Sequence, residues 1–229
     1  MPTFQLVSDI HLELNFEVPV LPVTADNLVL CGDIGLPGKR YYSFLREVSS
    51  RYGHVIVILG NHEYYARTTI DLARLPANVH VLDKASVEID GVTVLGATLW
   101  SDVTDSAFAG LADGRRIWQF TAEKSRALHR THVAWLASAI AATPGPVLVA
   151  THHAPVLAAN GALYADSPLK TAFATDLHHL FHPNVRAWCW GHTHVCYDDE
   201  IGGTRLLANC FGYANEHTGF DPSLNFTIK

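Results

Sequence analysis

Five short apolar runs in this chain end in the same way. Residues 4–7 hand over to Asp9 and His11, residues 27–31 to Gly32-Asp33, and residues 55–59 to Gly60-Asn61-His62-Glu63. Residues 147–150 hand over to Thr151-His152-His153, and residues 184–190 to Gly191-His192-Thr193-His194. The run at 55–59 is β-branched and does not alternate with polar residues, the pattern of a strand covered on both faces. In α/β sheets, binding sites gather at the carboxyl ends of strands. Five such endings therefore predict an α/β fold whose strand tips can converge on one place.

The intervening pattern agrees. Tyr41, Phe44, Leu45 and Val48 share one face of a helix predicted over 39–51, with Pro37-Gly38 before it. Leu128, His132, Trp135, Leu136, Ala139 and Ile140 share a face of a second, predicted over 122–142 and stopped by Pro144-Gly145-Pro146. A third helix is predicted near 171–181. Residues 79–82 and 86–89 read as strands, and Asp90-Gly91 is a hairpin signal before a strand at 92–95. Residues 101–121 read as an irregular surface loop, and 204–208 as the final strand. Nothing marks a linker or a repeat, and 229 residues fit one domain over 1–229.

Composition narrows function by exclusion. The formal charge is −6, and Arg115-Arg116 is the only adjacent arginine pair. A broad phosphate-tracking surface for extended nucleic acid is therefore not expected. No apolar segment approaches the roughly 20 residues that span a bilayer. The start lacks a basic segment followed by a long apolar run, so no signal peptide is expected. Cys31, Cys189, Cys196 and Cys210 form no C-x-x-C pair and read as reduced thiols, which suggests a cytoplasmic setting. Fourteen histidines hint at metal chemistry.

Singly, each polar ending has an ordinary explanation. Asp9 suits a strand end, Asp33 a turn, and Asn61 the cap of a helix starting at His62. Together they offer Asp9, His11, Asp33, Asn61, His152, His192 and His194, all oxygen and nitrogen donors. Seven are too many for one tetrahedral zinc and suit two divalent ions with a shared carboxylate. The adjacent glycines let backbone turn where a Cβ would crowd such a centre. His152 and His153 compete for one position. His152 directly follows the strand and a small polar residue, which leaves His153 as a supporting or wall residue.

The ordered series D-x-H, G-D, G-N-H-E, a strand-end His and G-H-x-H, spread from residue 9 to 194, resembles the calcineurin-like metallophosphoesterase superfamily. That resemblance implies a four-layer α/β/β/α sandwich with two central mixed β-sheets. It implies that Asp9, His11 and His194 hold one metal, that Asp33 bridges, and that Asn61, His152 and His192 hold the other. His62 would assist the leaving oxygen, with Glu63 orienting it or capping the helix. The implied reaction is hydrolysis of a small phosphomonoester or phosphodiester by a hydroxide between two ions, which Mn, Fe, Zn or Co would suit. The protein phosphatase branch carries further Asp and Arg residues after G-D. Here Gly32-Asp33 continues as Ile34-Gly35-Leu36-Pro37-Gly38, so protein substrates are not expected and the partner that steers His62 is not evident.

A nuclease or cyclic-nucleotide phosphodiesterase on the same scaffold is an alternative, and a non-catalytic interaction scaffold is another. The oligomeric state is not legible. Tyr64, Tyr65, Arg67 and Arg115-Arg116 are candidate substrate contacts. Trp100 suits either the core or a pocket rim. His178, His179 and His182 read as histidines near a helix end, and His54, His80, His129, His132 and His217 as structural or surface residues.

Overall fold

The computed structural model describes residues 1–65, 69–161 and 165–229. Five strands form one sheet: β1 (Thr3–Val7), β2 (Asn27–Cys31), β3 (His54–Ile58), β4 (Val79–Leu82) and β11 (Asn225–Thr227). Their order is β11-β1-β2-β3-β4, with only β11 antiparallel. Six strands form the other: β5 (Ala85–Ile89), β6 (Val92–Ala97), β7 (Val147–Thr151), β8 (Val185–Trp190), β9 (Tyr197–Ile201) and β10 (Thr204–Ala208). Their order is β5-β6-β7-β8-β10-β9, with β5 and β9 as antiparallel edges.

Strict alternation along the strands builds the layers. Leu6, Val29, Cys31, Ile56 and Ile58 face Val94, Leu148, Ala150, Ala187 and Cys189 in a core between the sheets. The alternate residues face outward. Leu28, Leu30, Val55 and Val57 pack on Tyr41, Phe44, Leu45 and Val48 of α1 (Lys39–Ser49). Val147, Val149, Trp188 and Trp190 meet Leu136 and Ile140 of α4 (Ala122–Ala142). The result is the expected α/β/β/α sandwich. With both faces covered, the inner strands have no solvent side, which is why their sequences are unbroken apolar runs.

Departures from the sequence reading are local. The buried stripe of α4 runs through Ser125, His129, His132, Leu136 and Ile140, so Leu128 and Trp135 sit at its margin. Two short helices, α2 (Asp105–Gly110) and α3 (Asp113–Arg116), occupy the segment expected to be irregular. Thr104 Oγ1 starts α2 by accepting the Ala107 N–H at 3.2 Å.

The helix expected near 171–181 is one turn, α5 (Lys170–Phe173), with a separate 3-10 turn at His178–Leu180. Backbone bonds interrupt it: Ala154 N–H donates to Phe173 O, and Thr175 N–H to Ala154 O, each at 3.0 Å. Thr204–Ala208 is not the final strand, because β11 follows it. No helix among the described residues is long and apolar enough to cross a membrane.

Candidate metal centre

The carboxyl ends of β1, β2, β3, β7 and β8 meet at one end of the sandwich. Backbone bonds tie neighbouring tips within each sheet: Asp9 N–H to Gly32 O (3.1 Å), His11 N–H to Asp33 O (2.9 Å), Gly191 N–H to His152 O (3.0 Å). The Asp9 carboxylate crosses between the sheets to accept the His192 N–H at 3.0 Å. Asp9, His11, Asp33, His192 and His194 all adopt left-handed conformations, with φ between 49° and 65°. Non-glycine residues rarely take that conformation, and it clusters at functional sites. It turns each chain sharply just past its strand and aims the side chain into the gap.

Two glycines are required by close approach. A Cβ on Gly60 would collide with Asp33 Oδ1 and with the Asp33 backbone, and one on Gly191 would lie 2.6 Å from Asp9 Oδ2.

Three groups of donor atoms lie close enough to hold an ion: Asp9 with His11 and His194, Asp33 with His152 and His192, and His11 with Asp33 and His62. Asp33 sits between them. Its Oδ1 is 3.5 Å from His152 Nε2, and its Oδ2 is 3.9 Å from His11 Nε2 and 3.7 Å from His62 Nε2. Asp9 Oδ1 is 3.5 Å from His194 Nε2. Asn61 Oδ1 reaches His152 Nε2 at 3.0 Å. All seven residues singled out in the sequence as metal donors are thus gathered here, with His62 beside them.

The donors fit divalent cations. His11 Nε2 and His194 Nε2 face each other at 3.1 Å. His192 Nε2 is buried with no hydrogen-bond partner, an arrangement costly to leave unmet. Burial would raise the Asp9 carboxyl, yet the His194 ring outweighs it and holds Asp9 at about 2. Asp33 is likewise held well below the usual carboxylate range, against its burial, by His62 and His152. In turn Asp33 lifts His152 to about 9 despite burial. Burial and the neighbouring rings of His153 and His152 push His192 well down, which keeps it neutral and able to ligate. Anionic carboxylates that draw charge onto buried imidazoles are a site that favours cations.

A surrounding set of polar groups fixes the orientation of these donors, and the sequence reading missed most of it. Glu13 Oε1 accepts the Nδ1–H of His62 at 2.6 Å, so Glu13 is the partner that steers His62. Glu216 accepts the Nδ1–H of His194 at 2.5 Å. Asp113 Oδ1 accepts from Asn61 Nδ2 (2.9 Å) and from Tyr65 OH (2.6 Å). That bond turns the Asn61 carbonyl inward, toward His152. The Cys31 carbonyl accepts from His152 Nδ1 at 2.8 Å. His153, outside the three donor groups, points Nδ1 to the Thr98 carbonyl at 3.2 Å.

Glu63 requires a correction. Its carboxylate is hydrogen-bonded to backbone, not to the His62 ring, and accepts from Asp33, Ile34 and Gly35 N–H (3.0, 2.8 and 3.2 Å) and from Gly60 N–H at 2.6 Å. It staples the Asp33 loop to the Gly60 turn and does not orient the His62 ring. Burial and the nearby Asp33 raise it to about 7. Asn61, expected to cap the following turn, makes no side-chain cap bond.

A cavity of about 430 Å³ opens beside the donors and is lined by Tyr65 and Arg116, among others. Tyr64 instead packs on Trp100, with ring centroids 5.4 Å apart, and Trp100 is buried in the core. Arg115 is not among the cavity's lining residues, and Arg67 lies outside the described residues.

Strand tips with this donor set at the edge of an α/β/β/α sandwich define a phosphoesterase class. The model of the calcineurin-like phosphoesterase family matches residues 3–196, and the chain belongs to that family. It is 25% identical over 266 residues to an uncharacterized protein of Acanthamoeba polyphaga mimivirus, covering 97% of this chain and 95% of that one. Among solved structures, phosphopantetheinyl hydrolase from Mycobacterium tuberculosis superposes with a TM-score of 0.69. The match covers 95% of this chain and 94% of the other at 16% identity, and it shows a shared fold.

Proposed function

We propose that this chain hydrolyses small phosphate esters at a centre of two divalent metal ions. The observation that carries the reading is Asp33, a buried carboxylate shared between two groups of ligating atoms from five strand tips. Asp9, His11 and His194 would hold one ion, and Asn61, His152 and His192 the other, with Asp33 common to both. Such ions supply Lewis-acid neutralisation of phosphoryl oxygens and activation of water. Mn, Fe, Zn and Co all suit this donor set.

The chain's own part is proton delivery and orientation. Glu13 takes up His62 Nδ1–H, so Nε2 faces the centre and can give its proton to a departing alkoxide. Burial would lower His62, yet the surrounding carboxylates, Asp33 most of all, push it up.

The deciding test strips the protein of metal, restores Mn, Fe, Zn or Co singly, and assays p-nitrophenyl phosphate, bis-p-nitrophenyl phosphate and cyclic nucleotides. Turnover that depends on added metal, with about two ions bound per chain by elemental analysis, supports the reading. Absence of turnover with every metal, together with a His62→Ala variant that behaves as wild type, points instead to an interaction scaffold.

A further inference from the structure

The cavity beside the donors has a mixed lining. Asp33, Asn61, His62, His192 and His194 line it with the donor atoms. Leu14, Leu111, Leu169 and Phe173 give it apolar surface that begins beside the donors, the Phe173 ring standing 5.1 Å from that of His192. This apolar wall is built, not incidental. Leu111, Leu169 and Phe173 pack on a small separate core of Val103, Ala107, Ala122 and Ala172. Gly110 makes room for it, since a Cβ there would lie 2.7 Å from Leu169 Cδ2. Tyr65 lines the same cavity, its ring 4.3 Å from that of His62.

Asp113 and Glu216, which also line this space, each have one carboxylate oxygen doubly engaged. Asp113 Oδ1 takes Asn61 and Tyr65, and Glu216 Oε2 takes His194 and the Tyr213 N–H. Hydroxyl-rich alcohols need unclaimed directional partners, and polyanions need several cations. Among the described lining residues, Arg116 is the only arginine or lysine.

We propose that this cavity binds the alcohol half of the phosphate ester and selects an apolar alkyl or aryl group over sugars, glycerol or polyphosphates. The inference rests on the phosphoesterase reading and adds the substrate class to it. With the scissile ester beside His62, the organic group lies against Tyr65, Leu14, Leu111 and Leu169.

The experiment compares n-hexyl, glyceryl and glucose 6-esters of whichever phosphate class the p-nitrophenyl substrates show to be hydrolysed. All three leave as primary alcohols, and hexanol, lacking neighbouring oxygens, is the poorest leaving group, so a hexyl preference does not come from leaving-group basicity. The metal-loaded enzyme is expected to favour the hexyl ester at least about tenfold in kcat/KM. Leu14→Ser, at a position 54% exposed and tolerant of change, and Leu111→Ser are each expected to shrink that preference several-fold. Equal turnover of the three esters, or a preference unchanged in both variants, overturns the inference while leaving the phosphoesterase reading intact. Failure to hydrolyse any p-nitrophenyl ester with any metal removes both.

Discussion

The two ends of the sheets carry histidine pairs of opposite character. At the amino ends of β3 and β4, His54 Nδ1 and His80 Nε2 meet at 3.0 Å, half-buried. Among the described residues no carboxylate pairs with either ring, and burial together with His54 pushes His80 down. At the carboxyl ends, rings equally close stand among Asp9, Glu13, Asp33 and Glu216, and His152 and His194 are pushed up. Imidazoles in contact do not make a metal site. Buried carboxylates that fix their orientation and demand positive charge do.

The largest effect expected at the carboxyl end is from Asp33→Ala. Losing the carboxylate shared by two donor groups is expected to cut kcat by at least about 10²–10³-fold and to lower bound metal, read by steady-state assay and elemental analysis. A variant that keeps both would break the contrast between the two ends.

Next comes Glu13→Gln. It is expected to slow hydrolysis of alkyl esters by roughly 10–100-fold but of p-nitrophenyl esters much less, because only the poor leaving group needs the His62 proton. Combined with His62→Ala it should add little, and full additivity would show that Glu13 acts elsewhere. Asp113→Asn frees the Asn61 amide to flip. About tenfold weaker binding of one metal is expected by calorimetry, with little change at the other.

A third pair of histidines sharpens the comparison through pH. His132 Nδ1 accepts the Leu99 N–H, and His129 Nδ1–H donates to Leu99 O, each at 3.2 Å. Burial, assisted by Lys84 and His129, depresses His132 to about 4. Asp83 lies 4.0 Å away and 44% exposed, too screened to offset that. A histidine depressed in the native state protonates first in the unfolded chain. Its contribution is therefore full above about pH 6.5 and is lost as pH falls toward 4. Between pH 7 and 5 the loss is about 1–2 kcal/mol. Urea unfolding of His132→Asn, which keeps an acceptor, should show a pH profile flatter by that amount. The smallest effect is expected from His54→Ala: activity unchanged and stability within about 0.5 kcal/mol. A larger loss of activity would mean that the amino-end pair also serves the site.

The sequence exposed what is local and periodic. The α/β class could be read from the apolar runs of β1, β2, β3, β7 and β8, the four-layer sandwich from the resemblance their motifs carry, and the donors from their place directly after those strands. The supporting residues were hidden because tertiary packing alone assembles them. Asp113 is 52 positions from Asn61, and Glu216 is 22 from His194. Glu13 left a faint trace, two positions after His11. Strand β9, Tyr-Asp-Asp-Glu-Ile, escaped notice because an edge strand protects itself with charge instead of apolar residues. The segment after α5 misled because backbone bonds to Ala154 override its helical pattern.

The five tip residues with positive φ hold their backbone against its own preference. Glycine at any of them would relieve that tension and delete the donor in the same step. Copies of this chain released from selection for chemistry therefore have a downhill route to firmer, inert proteins. In this chain Asp9, His11, Asp33, His192 and His194 all take that posture and keep their donor atoms.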